Sequence, residues 1–548
     1  MSETSTLPEH PAPVATPGSP PPRRSPKRPT GEPGVVARTA FTAVLLTTVA
    51  CGAGPEESAA TVPPASRQAP AQDYGELGES IEAFAARAMA LDAAPGMGIA
   101  VIRRDEVLYR GGFGYADLES RRPVTEETVF YIASSTKSFT ALAAATLHER
   151  GELDLDAPLT DYLPEVELAE GLDPAEITLR DLLTHTHGIA NTGPVTFRLA
   201  FSGDHTHDQL VALLARHGVD DNGREFTYGN IGYNVAALAM DEALGTHWKD
   251  VLAEEIFDPL AMSSTSGYVS RIDPDRLAMP YGFEPSGWER LPYTKHDSNM
   301  QSAGGLVTTA SDAATWLRAQ VNEGRIGGEQ ILNREAVVAS HTPQAEQDAS
   351  YMQFRRTGYG LGWNTGTYDG EPFTHHFGGF SGFHSHISFM PEEDVGVAIF
   401  LNTSAPFIAD IVSRYIYDAL RGVPDLDAKY EQELARSAET IEEARASIRA
   451  DRERRAARPQ DLPYPLEAYA GTYHSDELGT LELVLVDGRL EATMGHMTSA
   501  VEVYDNEENM LRVELTGGGS VMPVLFEDGD EAASAVQWLG RRFDRVSQ

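Results

Sequence analysis

Apolar positions along residues 73–421 follow two alternating periods, one typical of helices and one typical of strands. Residues 97–102 form an apolar run, residues 105–106 suit a turn, and residues 107–109 continue as a partner strand. Residues 135–150 have helical spacing and little charge until their carboxyl-terminal end, which predicts a helix buried in the middle of a domain. The pattern therefore predicts a mixed α/β domain over residues 73–421.

Two segments of different character follow that domain. Residues 422–460 carry acidic and basic side chains in nearly balanced numbers at helical spacing, which predicts a solvated connecting helix. Residues 461–548 change to short alternating strands. The strongest signal is a hairpin over residues 481–494 around Asp487-Gly488, a dipeptide that favours tight turns. We expect a separate small antiparallel β-domain there.

The amino-terminal residues read as export and tethering signals. Residues 1–34 are rich in Pro, Ser, Thr and Arg, which predicts disorder. Residues 35–51 combine Arg38 with an apolar run too short to span a bilayer, as in a secretory signal peptide. The run ends at Cys51 and resembles a bacterial lipobox, which implies a lipidated surface or periplasmic protein. An ordinary signal peptide with an incidental cysteine, and hence a secreted protein, is the alternative. Residues 52–72 are predicted to be a linker.

Composition narrows the class of partner. The chain has 548 residues, with 43 basic against 82 acidic side chains and a net charge of −39. Such an acidic chain is unsuited to nucleic acid, and contact with a membrane is expected only through the lipid anchor. One cysteine excludes an intramolecular disulfide and thiolate-rich metal sites. We expect no cofactor and a small-molecule or short-peptide substrate, and the oligomeric state is left open.

A hydroxyl and an amine stand three residues apart at the start of the predicted buried helix. Ser134 and Lys137 share one helical face at this spacing, so the amine can reach the serine oxygen. Burial in an apolar cleft lowers the pKa of a lysine, and the helix amino terminus favours developing negative charge. The pair therefore indicates a nucleophilic serine with lysine as proton acceptor.

Tyr228 and Asn230 form a second candidate element, before another helical run. Tyr228 is suited to move a proton between Ser134, Lys137 and a leaving group, while Asn230 is suited to hold Lys137 and a substrate carbonyl. Without the Ser-Lys pair, these residues would be interpreted as a loop tyrosine and a helix-capping asparagine.

A third element combines histidine and glycine beside a predicted strand, over residues 375–383. His376 and Gly378 are predicted to contact the substrate, since glycine lets a substrate backbone approach closely. The backbone N–H groups of Ser134 and Gly379 are predicted to form an oxyanion hole.

In the order SxxK, YxN and HxG, these residues resemble the serine β-lactamase and penicillin-binding-protein family, in its class C-like branch. The resemblance extends over roughly residues 80–421. It implies an α/β (α+β sandwich) fold, with an antiparallel sheet flanked by helices, a helical subdomain, and the site between them. Tyr469–Tyr473 and Arg542–Arg545 look like an appended lipocalin-like β-barrel. Further matching segments lie at residues 151–158, 177–189, 258–262 and 303–306.

Three departures from the family pattern bear on substrate choice. His376 replaces the lysine that β-lactamases use to hold the substrate carboxylate, and a largely neutral imidazole holds an anion less well. Phe377 stands where the family usually has a residue with a hydroxyl group, and His187 stands where relatives commonly have serine. These residues favour an ester or a peptide over a β-lactam.

The sequence therefore predicts an exported serine hydrolase that acts through an acyl-enzyme on ester, D-amino-acid peptide or related amide substrates. A β-lactamase or D-alanyl-D-alanine carboxypeptidase is the first alternative, and a non-catalytic penicillin-binding-type sensor is the second. Three His-x-His pairs offer candidate metal ligands: His185/His187, His205/His207 and His384/His386. No acidic residues with metal-site spacing lie near them in the sequence, so a metal site is not expected. No G-x-S-x-G nucleophile elbow is present.

Overall fold

The computed structural model of the chain describes residues 74–527, 529 and 531–546. The predicted segments 1–34, 35–51 and 52–72, including Cys51, lie outside these residues, so their assignments stay predictions. The described residues all belong to one compact unit. Within them, every helix is too short or too polar to cross a membrane.

Two stretches of the chain, residues 96–117 and 345–401, contain most strands of the sheet that supports the candidate site. The strands before the carboxyl-terminal domain are β1 (Gly96–Arg103), β2 (Glu106–Asp117), β3 (Arg122–Pro123), β4 (Phe130–Tyr131), β5 (Tyr281–Glu284), β6 (Gly287–Arg290), β7 (Val307–Thr308), β8 (Arg325–Ile326), β9 (Glu329–Gln330), β10 (Ala345–Tyr351), β11 (Phe354–Tyr359), β12 (Asn364–Tyr368), β13 (Glu371–Phe380), β14 (Phe383–Met390) and β15 (Val395–Leu401).

Helices cover this sheet and build the subdomain beside it. They are α1 (Gly75–Met89), α2 (Thr136–Glu149), α3 (Leu179–Leu183), α4 (Pro194–Phe197), α5 (His207–Leu213), α6 (Ile231–Leu244), α7 (Trp248–Leu252), α8 (Ala310–Val321), α9 (Arg334–His341), α10 (Pro406–Leu420), α11 (Leu426–Ala456) and α12 (Leu466–Tyr469). The predicted buried helix is α2, in which every residue from Thr136 to Leu147 is buried.

The main sheet is antiparallel throughout, with strand order β10-β11-β12-β13-β14-β15-β1-β2-β3. Both faces of its central strands are buried, because successive side chains point to opposite sides. On β1, Ile99 and Val101 pack with α1 and α10, whereas Ala100 and Ile102 pack on the side of α2 and α8. This helix–sheet–helix sandwich confirms the predicted fold class.

The turn before β2 falls one residue earlier than predicted. Arg104 adopts the left-handed region with φ 52° and forms the turn with Asp105, so that Glu106 already begins the strand. A left-handed arginine gives little sequence signal, since glycine or asparagine is the usual occupant of that conformation.

Helix α11 lies in the predicted connecting segment but is not simply solvated. Tyr430, Leu434, Ile441 and Ile448 are buried along one side of it. Their spacing of four and seven residues makes a narrow apolar stripe that packs on α10 and β5. The dense surrounding charge hides this stripe in the sequence pattern.

The carboxyl-terminal residues form a second sheet that curls into a barrel. Its strands are β16 (Gly471–Ser475), β17 (Gly479–Val486), β18 (Arg489–Met494), β19 (Met497–Ala500), β20 (Glu502–Asp505), β21 (Met510–Val513), β22 (Ser520–Leu525), β23 (Ala535–Trp538) and β24 (Arg541–Arg545).

The order β19-β18-β17-β16-β24-β23-β22-β21-β20 brings the two edge strands next to each other in the chain, separated by Val501 alone. The sheet is therefore nearly closed. Asp487 and Gly488 have φ of 48° and 78°, both left-handed as a tight hairpin turn requires. The antiparallel barrel is confirmed, while its resemblance to lipocalins stays a prediction.

The barrel contacts the preceding domain through Phe197, the last residue of α4, and through Arg198, which follows it. Phe197 belongs to the barrel core, and its ring lies edge-on to Trp538 with 5.7 Å between centroids. The guanidinium of Arg198 donates to the backbone oxygens of Glu477 at 2.8 Å and Asp476 at 3.2 Å. These contacts place one rim of the barrel beside the cleft described below.

Asp418 joins three elements of the fold and supplies a stability prediction. Its fully buried carboxylate accepts hydrogen bonds from Tyr368 at 3.0 Å, Tyr430 at 2.7 Å and Lys429 at 2.6 Å. Asp418→Ala leaves these donors without their acceptor, so we expect the free energy of unfolding to fall by roughly 2–4 kcal/mol, measured by urea denaturation. Asp427→Ala, an exposed position of α11, is the control and should stay within about 0.5 kcal/mol. Equal effects of the two substitutions would contradict the prediction.

Candidate active site

Ser134 lies in a 3₁₀ turn (Ala133–Ser135) directly before α2. From Thr128 to Leu147 every residue is buried except Ser134, which is partly exposed. The preceding Ala133 has φ 44°, a left-handed conformation that costs an alanine about 1–3 kcal/mol. The turn therefore presents the Ser134 side chain at the surface of an otherwise buried segment.

Hydroxyl groups hold this turn against the sheet. The Ser135 hydroxyl donates to the backbone oxygen of His376 at 2.9 Å, and its oxygen lies 2.8 Å from that of Ser385. Ser385 in turn donates to the backbone oxygen of Ile132 at 2.6 Å. These bonds fix the position of Ser134 relative to β13 and β14.

The amine of Lys137 reaches Ser134 as the sequence spacing predicts. Lys137 Nζ lies 3.2 Å from Ser134 Oγ, 2.8 Å from Asn230 Oδ1 and 2.8 Å from the backbone oxygen of Ala303. All three partners are uncharged, and burial lowers the pKa of Lys137 well below its ordinary value. An unprotonated amine within hydrogen-bond distance of a hydroxyl has the geometry of a general base.

Tyr228 lies on the solvent side of the lysine. Lys137 Nζ is 4.9 Å from the centroid of the Tyr228 ring, and 43 % of this side chain is exposed. Partial burial raises the pKa of Tyr228 to about 12, against the opposing effects of the Ser134 hydroxyl and the Arg356 charge. At neutral pH the phenol is therefore a proton donor, whereas Lys137 is the group suited to accept a proton.

Asn230 does not cap α6, contrary to the capping alternative. Its side chain makes no cap hydrogen bond, and its Oδ1 accepts from Lys137 instead. Asn191 performs the capping: its Oδ1 accepts from the backbone N–H of Asn230 at 2.6 Å and of Ile231 at 3.2 Å. The sequence analysis missed Asn191, whose loop position carries no spacing signal that links it to α6.

The backbone oxygen of Ala303 is a second contributor that the sequence analysis missed. Residues 303–306 matched the family pattern but had no assigned role. The loop is held against α2 because the N–H of Leu306 donates to Thr136 Oγ1 at 3.0 Å. Any residue type has such a carbonyl, so the sequence offers no signal for it beyond the resemblance.

Gly378 brings β13 into close contact with the serine turn. A Cβ at this position would lie 2.0 Å from the oxygen of Ile132 and 3.0 Å from the nitrogen of Ser134, so only glycine fits. Gly379 follows and is exposed, with open space beside its Cα. The structure thus brings the Ser134 turn and the Gly378-Gly379 segment together, and their joint action as an oxyanion hole stays a prediction.

Comparison with known proteins agrees with this geometry. A sequence model of the Beta-lactamase family matches residues 81–421. The chain belongs to the β-lactamase family.

Three similar proteins extend the comparison. The unguisins hydrolase ungD′ of Aspergillus campestris is 25 % identical over 483 residues, which are 81 % of this chain and 86 % of that protein. The esterase EstB of Burkholderia gladioli is 37 % identical over 194 residues, 33 % of this chain and 48 % of that protein. An octameric penicillin-binding protein homologue from Pyrococcus abyssi has a similar structure, with a TM-score of 0.55 and 22 % identity, covering 85 % of this chain and 99 % of that one.

In this β-lactamase-family domain, the side chain of His376 is directed away from solvent. Only 1 % of it is exposed, with Nδ1 3.0 Å from the Phe377 oxygen and Nε2 3.4 Å from the Tyr359 hydroxyl. Burial and the nearby Lys137 hold the pKa of His376 well below its ordinary value. The imidazole is therefore neutral and turned inward, and it offers no charge to a substrate carboxylate.

His185 supports the site rather than facing it. It adopts φ 63°, and its buried ring lies 4.7 Å from the Tyr228 ring and 4.8 Å from the Tyr359 ring. Its Nδ1 accepts from the N–H of Gly229 at 3.4 Å. This packing positions the loop that carries Tyr228.

Among the described residues, the three His-x-His pairs are not part of a cluster that could hold a metal ion. The group that offers three ligand atoms within 4.8 Å of one another is His148, Asp154 and Asp156. Asp156 is already paired with Arg180 at 2.6 Å. In the described part of the chain, the Ser134 site thus contains no such ligand cluster.

Asn191 supplies a test of how Asn230 is held. Asn191→Ala removes the cap of α6, so we expect the free energy of unfolding to fall by about 1 kcal/mol. Because Asn230 then loses its anchor, labelling of Ser134 by a fluorophosphonate should slow severalfold, measured by gel fluorescence over time. Asn333→Ala removes the cap of α9, where Asn333 accepts from Ala336 N–H at 2.9 Å, and is the matched control. An equal slowing in both variants would refute a positioning role for Asn191.

Proposed function

We propose that this protein is a serine hydrolase that cleaves carboxylic esters or amides through an acyl-enzyme on Ser134. The observation that carries the proposal is the uncompensated amine of Lys137, 3.2 Å from the hydroxyl of Ser134. A nucleophilic serine requires an adjacent base, and an amine with a lowered pKa within hydrogen-bond distance of its hydroxyl is such a base. Membership of the β-lactamase family, with a hydrolase and an esterase among similar proteins, supports the same class.

The first half of the reaction forms the acyl-enzyme. Ser134 Oγ attacks the substrate carbonyl while its proton passes to Lys137 Nζ, which forms the new C–O bond and an oxyanion. The N–H groups of Ser134 and Gly379 stabilise this oxyanion. When the bond to the leaving group breaks, Tyr228 donates a proton to the departing oxygen or nitrogen and recovers one from Lys137.

The second half releases the acid. A water molecule gives a proton to the same Tyr228 and Lys137 pair and attacks the acyl carbon. The bond to Ser134 Oγ then breaks, and the proton returns to this oxygen. Ser134, Lys137 and Tyr228 are then in their initial protonation states. The net reaction is the hydrolysis of one ester or amide bond by one water molecule.

The substrate is proposed to be an ester or a D-amino-acid peptide rather than a β-lactam. The inward, neutral His376 removes the charge that β-lactamases place at this position, so a lactam carboxylate finds no counter-ion there.

Export of the protein, with lipidation of Cys51, belongs to the same proposal. Loss of palmitate labelling in Cys51→Ser would support it, and unchanged labelling would exclude it.

The central test is removal of the nucleophile. Ser134→Ala should abolish hydrolysis of p-nitrophenyl esters and D-aminoacyl anilides, with a loss of at least about 10³-fold in kcat, and should abolish fluorophosphonate labelling. Ser120→Ala, at an exposed serine, should keep full activity. Hydrolysis that persists in Ser134→Ala would refute the assignment. Stoichiometric acylation of the unaltered protein without turnover would instead indicate the sensor alternative.

The two pKa shifts define a pH dependence. Lys137 must be unprotonated to act as base, so kcat/KM should rise with pH through its lowered pKa, well below the ordinary lysine value of about 10.4. Activity should then stay level up to about pH 11, because Tyr228, with a pKa of about 12, keeps its proton over that range. The measurement is an ester-hydrolysis profile between pH 5 and 11. Tyr228→Phe should keep the rising limb at lower activity, and Lys137→Arg should be inactive. A profile that falls with pH in the neutral range would contradict these roles.

A further inference from the structure

A cleft lies between the catalytic domain and the barrel, at the end of β13. It opens beside Phe380, which directly follows Gly379, and near Tyr131, three residues before Ser134. Apolar and aromatic groups form most of its wall. The lining residues used below are Phe201, Lys295 and Phe380 from the catalytic domain, and His496, Met497 and Leu515 from the barrel.

Lys295 brings a cation into this apolar cleft. Its Nζ donates to the backbone oxygens of Ala200 at 2.8 Å and Asn299 at 3.4 Å, and lies 3.9 Å from the centroid of the Phe380 ring. None of the ion pairs found among the described residues includes Lys295. Burial lowers its pKa to about 7, with no carboxylate to oppose the effect. Near neutral pH the protonated and neutral forms of the amine therefore coexist, and the protonated form has no carboxylate partner among the described residues. A bound anion would favour the protonated form.

The absence of a carboxylate partner distinguishes Lys295 from two of the other described lysines. Lys429 pairs with Asp418 at 2.6 Å, and the carboxylates of Asp241, Asp250 and Asp297 act on Lys249. Lys137 lacks a carboxylate partner because it is the proposed base. Lys295 is thus the remaining uncompensated lysine in the described part of the chain, and the proposed mechanism does not use it.

Anchoring the loop does not explain the charge. Two backbone oxygens need two N–H donors, which a neutral amide side chain also provides. Lys295 is partly buried, and the Phe380 and Tyr131 rings lie 3.9 and 5.0 Å from its Nζ. These rings offset part of the free-energy cost of holding a positive charge there, and an anion would offset more of it. A ligand that carries the anion into the cleft would supply that offset.

We propose that Lys295 binds a carboxylate carried by the substrate's acyl chain, so that the enzyme favours anionic acyl donors such as monoesters of dicarboxylic acids. The inference rests on the proposed function of Ser134. Phe201, Phe380, Met497 and Leu515 provide an apolar wall for the methylene groups between the reacting carbonyl and that carboxylate. The barrel thus forms part of the acyl-binding surface.

This subsite differs from the one bordered by His376. Phe380 lies four positions after His376 along β13, a distance of about 13 Å at roughly 3.3 Å per residue. Lys295 therefore does not simply restore the lysine that is missing at His376.

A matched pair of substrates tests the role of the charge. The mono-p-nitrophenyl ester of adipic acid and p-nitrophenyl hexanoate have acyl chains of equal length and differ in the terminal carboxylate. Lys295→Gln keeps two N–H donors for the loop but removes the charge. We expect it to raise KM for the adipate ester at least about tenfold, with kcat and the KM for the hexanoate ester changed less than about twofold. Lys295→Arg should keep most of the preference for the adipate ester.

Lys249→Gln is the control for removal of a positive charge from a buried lysine. It should leave the ratio of the two KM values unchanged. Equal losses for both esters in Lys295→Gln would show that Lys295 is only a loop anchor, and an unchanged ratio would likewise overturn the inference. Thermal denaturation of each variant shows whether an equal loss comes from unfolding.

Binding to the inactive variant separates this inference from the proposed function. Calorimetry on Ser134→Ala should show that the adipate ester binds at least about tenfold more tightly than to Ser134→Ala/Lys295→Gln. If this difference appears but the unaltered enzyme hydrolyses neither ester, the proposed function fails and the carboxylate site stands. If both esters are hydrolysed and binding does not depend on Lys295, the inference fails alone.

Discussion

The amine of Lys137 is buried among neutral acceptors, and this arrangement depends on parts of the chain that are far apart in sequence. Asn230 Oδ1 and the Ala303 oxygen, both at 2.8 Å, come from positions 93 and 166 residues away. A carboxylate in either place would stabilise the charged amine and remove its basicity. The neutral acceptors instead satisfy the hydrogen-bonding needs of the amine while leaving the proton weakly held.

Much of the surrounding structure keeps those acceptors in place without adding charge. Asn191 caps α6 and so leaves the Asn230 side chain available to the lysine. The Ser135 and Ser385 hydroxyls tie the serine turn to β13 and β14. Because these groups are polar but uncharged, they hold the turn firmly without raising the pKa of Lys137 again.

The barrel adds residues to the wall of the cleft, and none of them belongs to the proposed catalytic group. It contributes His496, Met497 and Leu515 opposite Phe380, at the end of the strand that carries Gly379. Contacts of Phe197 and Arg198 with the barrel hold this wall in position. A domain that the sequence pattern presents as separate therefore lines a cleft together with the domain that carries Ser134.

The sequence by itself determined the features that depend on local geometry. Ser134 and Lys137 meet because three residues on a helix place two side chains on one face, and Asp487-Gly488 turns because both residues accept left-handed backbone. The apolar run of residues 97–102, which forms β1, is likewise a property of neighbouring residues. The motifs in their order indicated the family, and the comparison over residues 81–421 confirmed it.

Only the tertiary structure decided which distant groups meet. It gave the cap of α6 to Asn191 instead of Asn230, turned His376 inward, and buried a stripe of the charged helix α11. It also placed Lys295 where no described carboxylate pairs with it. The identity of a residue states what its side chain can bind, whereas burial and partners follow from long-range packing. For that reason the proposed nucleophile and its proposed base could be predicted from the sequence, whereas the environment that sets their protonation could not.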